Sequence, residues 1–137
     1  MTSLQKKHVY VDGQAAPRGA YSPAVSVSLP GGGRMLFVTG QIGRAVDGSV
    51  YAPNDVTAQT EFIFTLIEEI LTAAGMGLGD IVRLQTYLTH MPDYKKYTVV
   101  RDRLLGAFKP ASTLLEVKGL AHVGCVIEIE VTAMSAE

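Results

Sequence analysis

Val126-Ile127-Glu128-Ile129-Glu130-Val131-Thr132-Ala133 opens with a strict alternation of apolar and acidic residues. A period of two sends Ile127, Ile129 and Val131 to one face of a strand, and Glu128 and Glu130 to the other. Such a strand is half buried, so it needs a covering layer on its apolar side. Working back from it, Ser112 to Val117 reads as a second strand. Ile81 to His90 reads as a third, with Val82, Leu84, Thr86 and Leu88 on one side and Arg83, Gln85, Tyr87 and Thr89 on the other. Between those two, Pro92-Asp93 opens a helix to about Leu105. Tyr94, Tyr97, Arg101, Leu104 and Leu105 fall along one side, and Gly106 marks its end.

The front half supplies the rest of the pattern. Val9 to Val11, Val25 to Leu29 and Met35 to Thr39 are short, β-branched runs expected to be strands. Pro30-Gly31-Gly32-Gly33 suits a tight hairpin, because glycine reaches positive φ without a Cβ clash. The run precedes a strand rather than a helix, and no Gly-Lys-Ser/Thr follows, so it does not read as a phosphate loop. Asn54 or Asp55 can cap a long helix ending near Ala74 and Gly75. Val56, Phe62, Ile63, Leu66, Ile67, Ile70 and Leu71 form its apolar stripe, with Glu61, Thr65, Glu68 and Glu69 towards water. The order β-β-β-α-β-α-β-β predicts an α+β fold, a mixed sheet with two helices packed on one face.

Size and composition fit one domain over residues 1–137, with 47% hydrophobic and 18% charged residues. A formal net charge of −1 gives no strong steering towards nucleic acid or an anionic membrane. The start, Met1 to Lys7, lacks the apolar core of a signal peptide, and the apolar stretch Phe62 to Leu71 is too short to span a bilayer. One cysteine, Cys125, cannot form an intramolecular disulfide, which makes a reducing cytoplasm the expected compartment. Two helices cover only one face of such a sheet, yet the other face also carries apolar residues. That uncovered face predicts a homo-oligomer.

Several stretches together resemble the RidA/YjgF/L-PSP family of small enamine and imine deaminases. Lys109-Pro110-Ala111-Ser112-Thr113-Leu114-Leu115-Glu116-Val117 is similar to its Pro-Ala-Arg-Ser/Thr-x-x-Glu-Val signature. Gly19-Ala20-Tyr21-Ser22-Pro23-Ala24-Val25 and Phe37-Val38-Thr39-Gly40-Gln41-Ile42 resemble its Gly-Pro-Tyr-Ser-x-Ala-Val and Phe-Val-Ser-Gly-Gln-Ile. Ala58-Gln59-Thr60, Ala73-Ala74-Gly75, Met91-Pro92-Asp93-Tyr94 and Val126 to Glu130 match further landmarks in the same order. The resemblance implies a chorismate-mutase-like homotrimer with small-molecule clefts between subunits. Within such a cleft it implies substrate-binding roles for Tyr21, Thr39, Gly40, Gln41, Ser112 and Thr113, and a catalytic role for Glu128, which orients the hydrolytic water or passes protons.

The chain departs from that pattern where the family's carboxylate-clamping arginine would stand, because Ser112 occupies the place. Thr98 and Leu114 replace a frequent asparagine and cysteine. Serine cannot reproduce the bidentate fork of an arginine, so another cation, Arg18, Lys109 or Arg101, is expected to take the carboxylate if the substrate has one. The implied activity is hydrolysis of 2-aminoacrylate-type or aminomuconate-type enamines and imines, with no cofactor because the imine is already activated. Two rivals are a non-catalytic ligand-binding regulatory trimer and an L-PSP-type endoribonuclease; the near-neutral charge counts against the latter.

Other residue pairs have simpler readings. Cys125 near His122 reads as a buried apolar thiol rather than a nucleophilic dyad. His8, His90 and His122 lack metal-ligand spacing, so no metal is expected. Glu130 reads as an ion-paired or solvated strand residue, and Glu116 as a tie to a neighbouring loop backbone. Tyr87, Tyr94 and Tyr97 read as core packing.

Overall fold

The computed structural model describes residues 4–137. Six strands and two helices follow the order expected: β1 (Lys6–Val9), β2 (Ala24–Ser28), β3 (Arg34–Ile42), α1 (Val56–Ala73), β4 (Ile81–Leu88), α2 (Tyr94–Leu105), β5 (Ala111–Glu116) and β6 (Ile127–Ser135). They form one mixed sheet in the order β1-β2-β3-β6-β4-β5, in which only β4 and β5 run parallel. The glycine run joins β2 to β3 as a hairpin. Gly31, Gly32 and Gly33 all have positive φ, and Leu29 N–H donates to Gly33 O at 2.9 Å.

Both helices pack on one face. The core joins Leu36 and Val38 of β3, Leu84 and Leu88 of β4, and Ile127, Ile129 and Val131 of β6 to Ile63, Ile67, Ile70 and Leu71 of α1. α1 starts where Asp55 accepts from Ala58 N–H at 3.0 Å, satisfying one of the free amides of the first turn. It ends at Gly75, with φ +75°. α2 contributes Tyr97, whose hydroxyl lies 2.6 Å from Thr86 Oγ1 with both side chains out of water. Among the described residues, no helix is long and apolar enough to cross a membrane.

Several expectations require correction. The first strand is Lys6–Val9, not Val9–Val11; it is a sheet edge, and its exposed Lys6 and Lys7 are the kind of charge that keeps an edge from pairing with another chain. Val82 is exposed and Ile81 takes its core position. The β4–β6 register shifts between Ile81 and Arg83, and this bulge turns Val82 outward. Phe64 joins the α1 core, whereas Phe62 lies on the flank against Tyr51 with ring centroids 4.4 Å apart. On α2, Val100 is buried and Tyr94 is exposed, so of the three tyrosines only Tyr97 is a core residue. Gly106 keeps right-handed helical angles, and the left-handed residue after α2 is Lys109.

The opposite sheet face is uncovered in the single chain. Phe37 of β3 and Met134 of β6 are 46% and 41% exposed there, and Leu115 of the edge strand β5 is 53% exposed.

Candidate functional site

β3 and β6 create the site through an irregularity. Val38 pairs with Val131 and Gln41 with Ile129, so β3 carries one more residue than β6 between these two points. The extra residue falls in Thr39-Gly40, beside Glu128 and Glu130. A bulge of this kind bends a strand and redirects its side chains. Alternation meanwhile keeps Ile127, Ile129 and Val131 in the core and holds Glu128 and Glu130 on the open face.

A cavity of about 200 Å³ lies here, and its walls include Tyr21, Thr39, Gly40, Gln41, Arg44 and Glu128. Thus five of the seven site residues expected from the sequence come together. Thr39 Oγ1 donates to Ser22 O at 2.6 Å, and Gln41 Nε2 donates to Thr39 O at 2.8 Å, so both polar side chains are held by backbone carbonyls. Glu128 packs directly over Gly40. A Cβ at that position would approach Glu128 Cδ to 2.9 Å and Cγ to 3.1 Å. Glycine is therefore what allows the carboxylate to lie against the strand.

Burial raises the pKa of Glu128 above the ordinary glutamate value, and the nearby Glu130 charge adds to the effect. Glu130 accepts from Tyr87 Oη at 2.6 Å, so it is a hydrogen-bonded strand residue. That bond is also the main reason the Tyr87 pKa is raised.

Ser112 and Thr113 do not reach this cavity. They are exposed on β5, paired with Leu84 and Gln85 of β4, and β4 separates their strand from β6. The three cations considered as substitutes for an arginine at position 112 also lie elsewhere. Arg18 lies over Gly48, Arg101 donates to Asp102 at 2.9 Å beside the Tyr97 ring, and Lys109 follows α2. The cation in the wall is Arg44, absent from the sequence-derived set. Its only signal was position, three residues after Gln41. His122 also lines the cavity.

Gln59 supports the wall from behind. Fully buried on α1, its Nε2 contacts the carbonyls of Tyr51, Ala52 and Gly124 at 3.1, 3.1 and 2.8 Å, and its Oε1 accepts from Val126 N–H at 3.0 Å. Cys125 is buried with its thiol 3.8 Å from Gly43 O, and burial raises its pKa, as suits a packing residue. Glu116 accepts from Met91 N–H at 2.8 Å, the loop tie expected of it. Among the described residues, no three His, Cys, Asp or Glu side chains group as a metal site.

Comparison with known proteins agrees with this architecture. The sequence model of the family described as Endoribonuclease L-PSP matches residues 12–135. A RutC family protein of Pyrococcus horikoshii is 32% identical over 93% of this chain and 97% of its own length. The 2-iminobutanoate/2-iminopropanoate deaminase of Bos taurus is 29% identical over 98% of this chain and 93% of its own. The crystal structure of a candidate endoribonuclease from Thermotoga maritima superposes with a TM-score of 0.84 at 28% identity, covering 97% of this chain and all of the other.

Proposed function

The chain belongs to the Endoribonuclease L-PSP family, and from that premise we propose that it is a hydrolytic deaminase of small reactive enamines and imines. The observation that carries this reading is the Glu128 carboxylate, seated against Gly40 in a cavity with Tyr21, Thr39 and Gln41. A deaminase relative at 29% identity supports the same chemistry.

The reaction needs little machinery. An iminium carbon is already electrophilic, so water is a sufficient nucleophile once it is positioned and deprotonated. Glu128 in its carboxylate form accepts a proton as the water oxygen bonds to carbon. It returns that proton to nitrogen, then takes the hydroxyl proton as the C–N bond breaks and the carbonyl forms, and the departing ammonia picks that proton up, so an oxo compound and ammonium leave. A glutamate with a raised pKa is suited to both transfers, because its proton affinity lies closer to neutral pH. An enamine first takes a proton on carbon to become the iminium ion, and the same carboxyl group in its protonated form delivers it.

We further propose a homotrimer in which β5 of a neighbouring copy closes the cavity. The uncovered face bearing Phe37 and Met134 supports association, and it would bring Ser112 and Thr113 of one chain towards Glu128 of another. The family description includes ribonuclease activity, but 12 basic against 13 acidic residues provide little phosphate attraction.

The deciding experiment generates short-lived imines in situ and follows their hydrolysis in competition with semicarbazide. Acceleration by the wild-type protein that disappears in Glu128→Gln is the expected result. Equal rates for the two proteins would refute the role of Glu128.

A further inference from the structure

Both ladders that hold β6 run out beside Glu128. The pairing with β3 ends at Ile42 and Glu128, and the pairing with β4 ends at Leu88 and Ile127, followed by one bond from Thr89 N–H to Val126 O at 3.1 Å. From there β3 turns away. Arg44 bridges to Val50, Tyr51 N–H donates to Gly43 O at 2.7 Å, and Asp47 closes the intervening turn by accepting from Ser49 N–H and Oγ. Strand ends without partners fray, which would leave the Glu128 carboxylate on a loose end.

Gln59 fills the gap left by β3. Its Oε1 accepts from Val126 N–H at 3.0 Å, and the hydrogens of Nε2 are shared among the carbonyls of Tyr51, Ala52 and Gly124. One carboxamide thus joins the entry of β6 to the β3–α1 connection, in the manner of a peptide group of a missing strand. Gly43 makes room for it, since a Cβ there would stand 2.9 Å from Gln59 Cγ and 3.0 Å from Cδ. Ala52, one of the residues it holds, has φ +44°, a conformation that a non-glycine residue keeps only when its surroundings fix it. Gln59 is wholly buried, so losing these bonds would strand several polar groups out of water.

We propose that Gln59 is a positioning residue for Glu128: its carboxamide pins the chain two residues before the carboxylate, where both strand ladders have ended. The inference rests on the deaminase reading only for what Glu128 does once it is in place.

The test combines amide hydrogen exchange with imine turnover on the full-length protein. In wild type, the Gln59 side-chain amide and the Val126 N–H should both exchange slowly. Gln59→Met keeps the length and removes every bond. Exchange at Val126, Ile127 and Glu128 should then rise on the order of tenfold more than at Val131 in mid-strand, as local opening implies. Gly43→Ala leaves the chemistry of Gln59 intact but pushes it aside, and should give the same pattern more weakly; it decides the matter if Gln59→Met does not fold. In turnover, Gln59→Met should lower kcat on the order of 10- to 100-fold with KM within about threefold of wild type, the signature of a misplaced reacting group. On the Glu128→Gln background it should add little. Fast exchange at Gln59 and Val126 in wild type, an equal rise along the whole of β6, or an undiminished loss of kcat on the Glu128→Gln background would overturn the proposal. If wild type hydrolyses no imine, the deaminase reading fails, and the exchange pattern alone decides whether Gln59 fixes the Glu128 segment.

Discussion

Replacing Gly40 by alanine tests the geometry of the site with one methyl group. Gly40 is not among the residues with positive φ, so alanine suits the backbone and any effect is steric. The new Cβ would stand 2.9 Å from Glu128 Cδ and 3.1 Å from Cγ. Carbon atoms in contact prefer about 3.5–4.0 Å, so the carboxyl group must retreat by roughly 0.5–1 Å. Displacing a reacting group that far costs on the order of 100-fold in rate, or about 2.7 kcal/mol of barrier. Stability should change less, because about 1–3 kcal/mol of overpacking is offset by about 0.4–1 kcal/mol from a stiffer unfolded chain. The assay is imine turnover together with urea unfolding for Gly40→Ala, Glu128→Gln and the double variant. The double variant should be no slower than Glu128→Gln alone, since the methyl acts only by moving that carboxylate. Turnover of Gly40→Ala within threefold of wild type would refute the argument that glycine is what seats Glu128.

Other outcomes follow from the same contacts. Because Glu128 has a raised pKa in the folded chain, its ionisation opposes folding: the carboxyl is neutral in both states well below its unfolded pKa, and stability is lost as pH rises through the folded value. Glu128→Gln should therefore match wild type in urea midpoint at low pH and exceed it at pH 8, while wild-type turnover rises with pH through the same range; a stability difference independent of pH would contradict this. Tyr97→Phe leaves the buried Thr86 hydroxyl without its 2.6 Å partner and should cost about 1–2 kcal/mol, most of it recovered by adding Thr86→Val; the denaturation cycle fails the idea if the two losses simply add. Phe37→Asp places a charge on the open sheet face and should give a folded monomer by sedimentation velocity, whereas a persistent trimer would place the interface elsewhere.

Local pattern made most of the fold legible. Ile127 to Val131 alternates because one side meets the core, Gly31 to Gly33 allow a hairpin through positive φ, and Asp55 to Gly75 carries both helix ends. Where the pattern misled, at Val82 and Phe62, the cause was a bulge or the flank of a helix. Sequence spacing cannot register either feature, because each depends on what the neighbouring element presents.

The family resemblance implied the grouping of Thr39, Gly40 and Gln41 with Glu128, while the sequence by itself determined the order of the elements and the two-faced character of β6. These depend on periodicity and short-range chemistry, which a linear pattern records. Only the tertiary structure decided that Ser112 and Thr113 lie away from the cavity of their own chain and that Arg44 lines it. Strand order sets β4 between β5 and β6, and a turn closed by Asp47 and Ser49 carries Arg44 to the wall. The strand order is a consequence of long-range pairing, for which neighbouring residues in the chain carry no signal.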